Sequence, residues 1–302
     1  MDRINFKHSV IFFNLCILIS PLYLMLNFEP IMLCLFLILI LGISHGALDN
    51  IKGKKLLKLF GYKSSFSFYL VYILISFLII TLWLIFPNIV LFLFLIVAAY
   101  HFGKEDTVFS FQRKFWISES LFFLKGSAVI LAPLLLKREE TNEIFRILNF
   151  NVFEFQIFND KFLIIMLCLS FLSSLYISHK KNSDLKGIMV MDFLSLIILN
   201  LFLSPILAFT VYFCFLHSIR HSISLSNELN RKNIWSGFIK FMNKALPLTI
   251  ITGVLYLFAV FILTNSYNLD DAILKVIFIG LASLTFPHIL LEYLIEKNEK
   301  RS

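Results

Sequence analysis

Charge is scarce in this chain. Only 15% of its 302 residues are Asp, Glu, Lys or Arg, against about 25% in a soluble globular protein. Such a composition excludes an ordinary soluble domain. The chain also lacks paired cysteines: Cys16, Cys34, Cys168 and Cys214 all sit in apolar runs and form no CxxC. That excludes a disulfide framework or a zinc ribbon and reads them as small buried hydrophobes. Short segments of alternating polarity, the mark of a membrane β-barrel, are missing. So is a small-residue cleavage site after the first apolar run, which is therefore kept as a membrane span. Internal repeats and low-complexity linkers are missing too, and residues 1–302 are expected to form a single transmembrane domain.

What is present is a succession of long uncharged runs, such as Phe66 to Phe86, in a chain 59% hydrophobic. About 20 apolar residues cross the hydrocarbon core as a helix, and in lipid a helix satisfies its own backbone hydrogen bonds. The runs predict ten spans, at 8–27, 30–48, 66–86, 88–103, 117–136, 162–179, 188–203, 205–223, 246–264 and 272–295. Pro30, Pro87, Pro205 and Pro247 mark span starts or turns, where a missing N–H costs little. With both termini cytoplasmic, the cytoplasmic segments carry 20 Lys and Arg and the outer loops 4, all around 137–161. Positive-inside topology therefore accounts for the net charge of +8, and nucleic acid is rejected as a partner. The fold class is an all-α polytopic helix bundle in the lipid bilayer, a multi-pass protein of the cell (inner or plasma) membrane.

Of the seven histidines, His8 and His179 lie at span edges and read as interfacial. His45, His101, His217, His221 and His288 fall in even-numbered spans, all running outside to inside. Counted from the span starts, they share a layer about 6 Å thick, roughly 18–24 Å from the outer edge. His217 and His221, four residues apart, put two imidazoles on one helix face, a spacing that can hold one metal. Arg220 lies beside that face and is expected to snorkel to the headgroups. A single intramembrane histidine is as well explained by a hydrogen bond to a neighbouring helix. Five at one depth favour a metal site. His288 keeps a packing or supporting role as its alternative, because Pro287 is expected to break its helix.

Acids lie close by. Asp49 follows His45 by four residues, Asp106 follows His101 by five, and Asp192 sits within an apolar run. Metal-bound histidines usually donate their second N–H to a carboxylate or carbonyl, so Asp49, Asp106, Asp192 and His288 are candidates for support behind the ligands. For Asp49 and Asp106 a solvated helix end is an equally plain reading. Gly46 and Gly103 would permit close backbone approach. Imidazole alone suits Zn, Cu, Fe and Ni. A set of about four histidines leaves coordination positions open for O2, which favours non-haem Fe(II) chemistry on a lipophilic substrate. Some of the 36 phenylalanines could line a tunnel for such a substrate, although most are expected to face lipid or neighbouring helices.

The segments Ser44-His45-Gly46-Ala47-Leu48-Asp49, His101-Phe102-Gly103 with Asp106, Tyr212 through His217-Ser218-Ile219-Arg220-His221, and Phe278-Ile279-Gly280-Leu281-Ala282 leading to Pro287-His288 closely resemble the Brp/Blh family. These are integral-membrane β-carotene 15,15′-dioxygenases of rhodopsin-bearing microbes. The match in order and rough spacing runs from about 40 to 295. The resemblance implies an Fe(2+) cofactor held by His45, His101, His217 and His221, with no catalytic residue beyond the metal site. It also implies O2-dependent cleavage of the central C15=C15′ bond of β-carotene to two all-trans-retinal, and a functional link to a microbial rhodopsin. Ser44 stands where the family pattern has Pro, Asp192 where Glu is frequent, and Asn50 where some members have His. Three rival classes are a di-iron membrane hydroxylase or desaturase of a lipophilic substrate, a haem protein, and a non-enzymatic retinal- or carotenoid-handling protein. The di-iron class typically needs more histidines than the five available.

Overall fold

A backbone that must satisfy its own N–H and C=O groups in lipid has few solutions, and this one is helical throughout. The computed structural model describes residues 2–25, 30–42, 46, 48–59, 61, 66–107, 115–150, 159–179 and 187–299, and among these there is no strand. The helices are α1 (Asp2–Ile19), α2 (Ile31–Leu37), α3 (Asp49–Leu59), α4 (Phe66–Ile85), α5 (Pro87–Glu105), α6 (Phe115–Leu136), α7 (Arg138–Ile147), α8 (Asp160–His179), α9 (Ile188–Phe202), α10 (Pro205–Val211), α11 (Ile219–Leu229), α12 (Ile234–Leu263) and α13 (Leu269–Glu299). A π-helical segment, Ile38–Gly42, continues α2, and a second, Tyr212–Ser218, joins α10 to α11.

Among the described residues, eight helices are long and apolar enough to cross a membrane, and two shorter apolar ones cover Ile31–Gly42 and Ile188–Phe202. Together these ten coincide in order with the ten expected runs, and they form an all-α polytopic bundle. Several boundaries differ. Pro87 and Pro205 do open helices. Pro247 instead lies inside α12, which begins thirteen residues earlier. Pro287 does not break α13, which runs unbroken through it. A membrane helix tolerates proline because packed neighbours re-satisfy the freed backbone groups. The helix expected over 30–48 ends at Gly42 in the described backbone, and Asp49 opens a separate helix. The charged stretch expected to be a loop at 137–161 contains α7, which buries Thr141, Ile144 and Phe145.

Two kinds of packing hold the bundle. Apolar side chains such as Leu91, Leu134, Leu199 and Ile277 fill a continuous interior. Where helices come closest, small residues replace them, since lipid gives helices no hydrophobic reason to associate and close van der Waals contact must supply it. A Cβ on Gly103 of α5 would lie 1.7 Å from the carbonyl oxygen of Phe122, and one on Gly126 of α6 would lie 1.9 Å from that of Ala99. The smallness of Gly103 thus serves contact between α5 and α6 rather than approach to a ligand. Trp83, the one buried side chain of α4, joins this interior, whereas α12 turns Phe258 and Phe261 outward. Cys16, Cys34 and Cys214 are buried as expected, whereas Cys168 faces outward.

Candidate metal centre

The C-terminal end of α5 is unusual for a helix. It carries Glu105 and Asp106 in succession, although the helix dipole disfavours anions at that end. Both acids face histidines. Asp106 accepts a hydrogen bond from Nδ1 of His217 at 2.9 Å, and Glu105 accepts one from Nδ1 of His221 at 3.0 Å. A third pair repeats the arrangement from other helices: Nδ1 of His288 lies 2.9 and 2.8 Å from the two carboxylate oxygens of Asp49. An ionised carboxylate can only accept, so in the neutral ring each contact puts the proton on Nδ1 and leaves Nε2 as the lone-pair nitrogen. That tautomer is the one a metal-binding histidine with a carboxylate behind it adopts.

The rings gather closely. The His101 centroid lies 5.3 Å from that of His217 and 5.2 Å from that of His288, and His221 and His288 are 6.2 Å apart. All four side chains are buried. They come from α5, the π segment at 212–218, α11 and α13. The shared depth inferred along the sequence is therefore accompanied by lateral convergence of His101, His217, His221 and His288. His45 lies outside the described residues. His288, expected either in the metal layer or in a packing or supporting role, stands among the other rings.

The π segment bears on this geometry. A π turn accommodates an extra residue and shifts the register of the side chains that follow, which is why such turns recur at functional sites. His217 lies within it and His221 in the α-helix beyond, so the two rings are presented across a change of helix type. The segment is held from one side by the other π segment: a Cβ on Gly42 would come 2.5 Å from the ring of Phe213. Phe213 stacks on His217 at 5.7 Å and on Phe209 at 5.4 Å, and Phe209 stacks on Phe278 at 6.3 Å. Phe102 meets His217 edge-on at 4.9 Å. Some phenylalanines thus form a dry aromatic column against the histidines, while others face outward.

The acids expected behind the ligands divide. Asp49 and Asp106 do hold histidines, but not the ones nearest in sequence: Asp49 takes His288, and Asp106 takes His217. Asp192 takes no histidine in the hydrogen bonds found. It pairs with Arg220 through both oxygens, at 2.8 and 3.0 Å. Arg220 therefore does not snorkel to the headgroups; its side chain is 3% exposed. His8, expected at the interface, reaches inward to the carbonyl oxygen of Phe215 at 2.8 Å.

Sequence reasoning missed Glu105 and Glu292. Adjacent acids at the end of an apolar helix were the available signal for the first. For the second it was an acid four residues after His288 in an apolar run. Ligating atoms of His101, His288 and Glu292 lie within 4.8 Å of one another, as do those of Glu105, His221 and Glu292. Nitrogen and carboxylate donors at such separations suit a divalent transition metal. Nearby, Glu292 is joined to Lys52 at 3.0 Å, and Glu296 to Lys104 at 2.6 Å. Burial disfavours the Lys52 charge, but the Glu292 carboxylate outweighs it and raises the Lys52 pKa.

A family model described as beta-carotene 15,15'-dioxygenase matches residues 36–296. A curated relative, the beta-carotene 15,15'-dioxygenase of uncultured marine bacterium 66A03, is 29% identical over 279 residues, spanning 88% of this chain and 94% of the relative. No solved structure matches.

Proposed function

The chain belongs to the beta-carotene 15,15'-dioxygenase family, and from that premise we propose that it cleaves the central C15=C15′ double bond of β-carotene with O2, giving two all-trans-retinal. The cofactor of this reading is Fe(II), which His45, His101, His217 and His221 would hold; His288 stands beside His101 and His221. One observation carries it. Three buried histidines on separate segments each have Nδ1 held by a carboxylate, and their rings crowd together with that of His101. A packing role for these histidines would not require the same tautomer three times. The donor set of imidazoles and carboxylates fits a borderline divalent ion.

Bound there, the iron supplies activation of O2. The protein does the rest. Asp106 and Glu105 fix the tautomer and orientation of His217 and His221, and Asp49 does so for His288. The column of Phe278, Phe209 and Phe213 ending on His217 gives the site an apolar aromatic wall suited to a hydrocarbon. Holding the polyene centre against the site converts an encounter into a positioned reaction. No side chain needs to gain or lose a proton. The substrate is drawn from the bilayer, and the retinal product suits a microbial rhodopsin as its user.

The test is expression in a β-carotene-accumulating bacterium with chromatography of the extracted pigments. Loss of β-carotene with appearance of C20 retinal, and of no longer apocarotenal, is the expected result. Unchanged β-carotene beside iron-loaded protein would overturn the substrate, and protein without iron would overturn the cofactor.

A further inference from the structure

The mechanism above leaves several buried charged groups without a task, Arg220 among them. Arg220 sits between His217 and His221 in sequence, inside the apolar segment Pro205–Leu229. A guanidinium in such a place is costly unless it is paired. Here it forks onto both oxygens of Asp192 and also donates to Oγ of Ser9 at 2.7 Å. Its Nη1 further reaches the backbone carbonyl oxygen of Asp106 at 3.4 Å.

That last contact falls on a particular turn. The end of a helix leaves carbonyls without intrahelical partners, and cations there are favourable. The end of α5 receives two cations. Lys125 of α6 donates to the carbonyl oxygen of Gly103 and to Oγ1 of Thr107, each at 3.3 Å, and Arg220 takes Asp106. Between these anchor points lie Glu105 and Asp106, the carboxylates that hold His221 and His217. Asp106 is gripped from one more direction by the hydroxyl of Tyr212 at 2.5 Å.

We propose that Arg220, locked by Asp192 and Ser9, is a positioning residue that clamps the C-terminal turn of α5, so that Glu105 and Asp106 present His217 and His221 in the tautomer and orientation that bind metal. The carboxylates stand directly behind the histidines; Arg220 and Lys125 stand behind the carboxylates. This assignment rests on the proposed iron site and adds the reason why a charged pair is retained at that depth. The fork geometry is specific to arginine, since lysine presents a point charge and cannot engage both Asp192 oxygens and the Asp106 carbonyl together.

The test separates positioning from mere stability. Replacing a buried ion pair by apolar residues of similar volume is often neutral or stabilising, so Arg220→Met combined with Asp192→Leu is expected to fold while leaving the turn unclamped. Fe(II) affinity of the purified full-length protein is measured, together with the ligand-field spectrum of its Co(II)-substituted form. The expected result is a roughly 10- to 100-fold loss of Fe(II) affinity, the usual effect of removing support behind a ligand, with a changed Co(II) spectrum. Wild-type affinity and an unchanged spectrum in the folded double variant would overturn the proposal. Should that variant not be recovered folded, Arg220→Lys decides: weakened Fe(II) binding at preserved charge supports the clamp, and wild-type binding overturns it. Wild-type protein that binds no Fe(II) would overturn the functional reading and this inference with it. Wild-type protein that binds Fe(II) beside an unaltered variant overturns this inference alone.

Discussion

His217 and His221 are held by two neighbouring carboxylates of one turn, Asp106 and Glu105, whereas His288 is held by a single carboxylate, Asp49, through both of its oxygens. The surroundings differ as well. The first side is backed by Arg220, Asp192, Lys125 and Tyr212, all buried. The second is backed by the Tyr72 hydroxyl, which donates to Asp49 at 3.0 Å, and opens through Glu292 toward Lys52, side chains that remain 20% and 25% exposed. Where water is excluded, removing one partner leaves a charge with nothing to compensate it. Where water can reach, it takes over part of the lost interaction. The His217–Asp106 pair should therefore be brittle, whereas the His221 pair, whose Glu105 is 24% exposed, and the His288 side, open through Glu292, should be more forgiving.

The comparison can be broken in steps of decreasing size. His217→Ala or His221→Ala should abolish iron binding and retinal formation together, read by metal analysis and pigment chromatography; full activity in either would remove that side from the site. Asp106→Asn keeps the shape but not the charge and should weaken Fe(II) binding by roughly 10- to 100-fold. A titration showing no change would mean that the carboxylate does not tune its histidine. Asp49→Asn, with Tyr72 and Glu292 still near, should cost about tenfold, at the low end of that range. If it proves as damaging as Asp106→Asn, the two sides are equivalent and the contrast drawn from burial is wrong. Lys52→Met removes a partly buried ion pair, 25% and 20% exposed, and should change stability by about 1 kcal/mol, an effect that fades with added salt; thermal unfolding in detergent at two ionic strengths reads it.

How much of this could be read along the chain depends on the direction considered. Depth was legible. Apolar runs set where helices enter the membrane, and a fixed rise per residue converts position into distance along the axis. His101, His217, His221 and His288 accordingly converge, although Pro247 and Pro287 lie inside helices, contrary to expectation. Rotation about each axis was not legible. A helix apolar on every side offers no polarity pattern to say which face turns inward, so the choice of Asp106 for His217 rather than His101 carried no signal. Asp192 shows the same limit: an intramembrane acid announced a role, and its partner proved to be the neighbouring arginine rather than a histidine.

The sequence by itself determined a membrane-embedded helical bundle and a layer of histidines at one level, because hydropathy and helical rise act locally and add up along the chain. Only the tertiary structure decided which carboxylate holds which histidine, that Arg220 is buried rather than snorkelled, and that His288 stands among the other rings. Those outcomes depend on close approaches such as Gly103 against the backbone of α6 and on a π segment that re-aims His217. Both are set by contacts between residues far apart in the chain, where neither propensity nor spacing carries information.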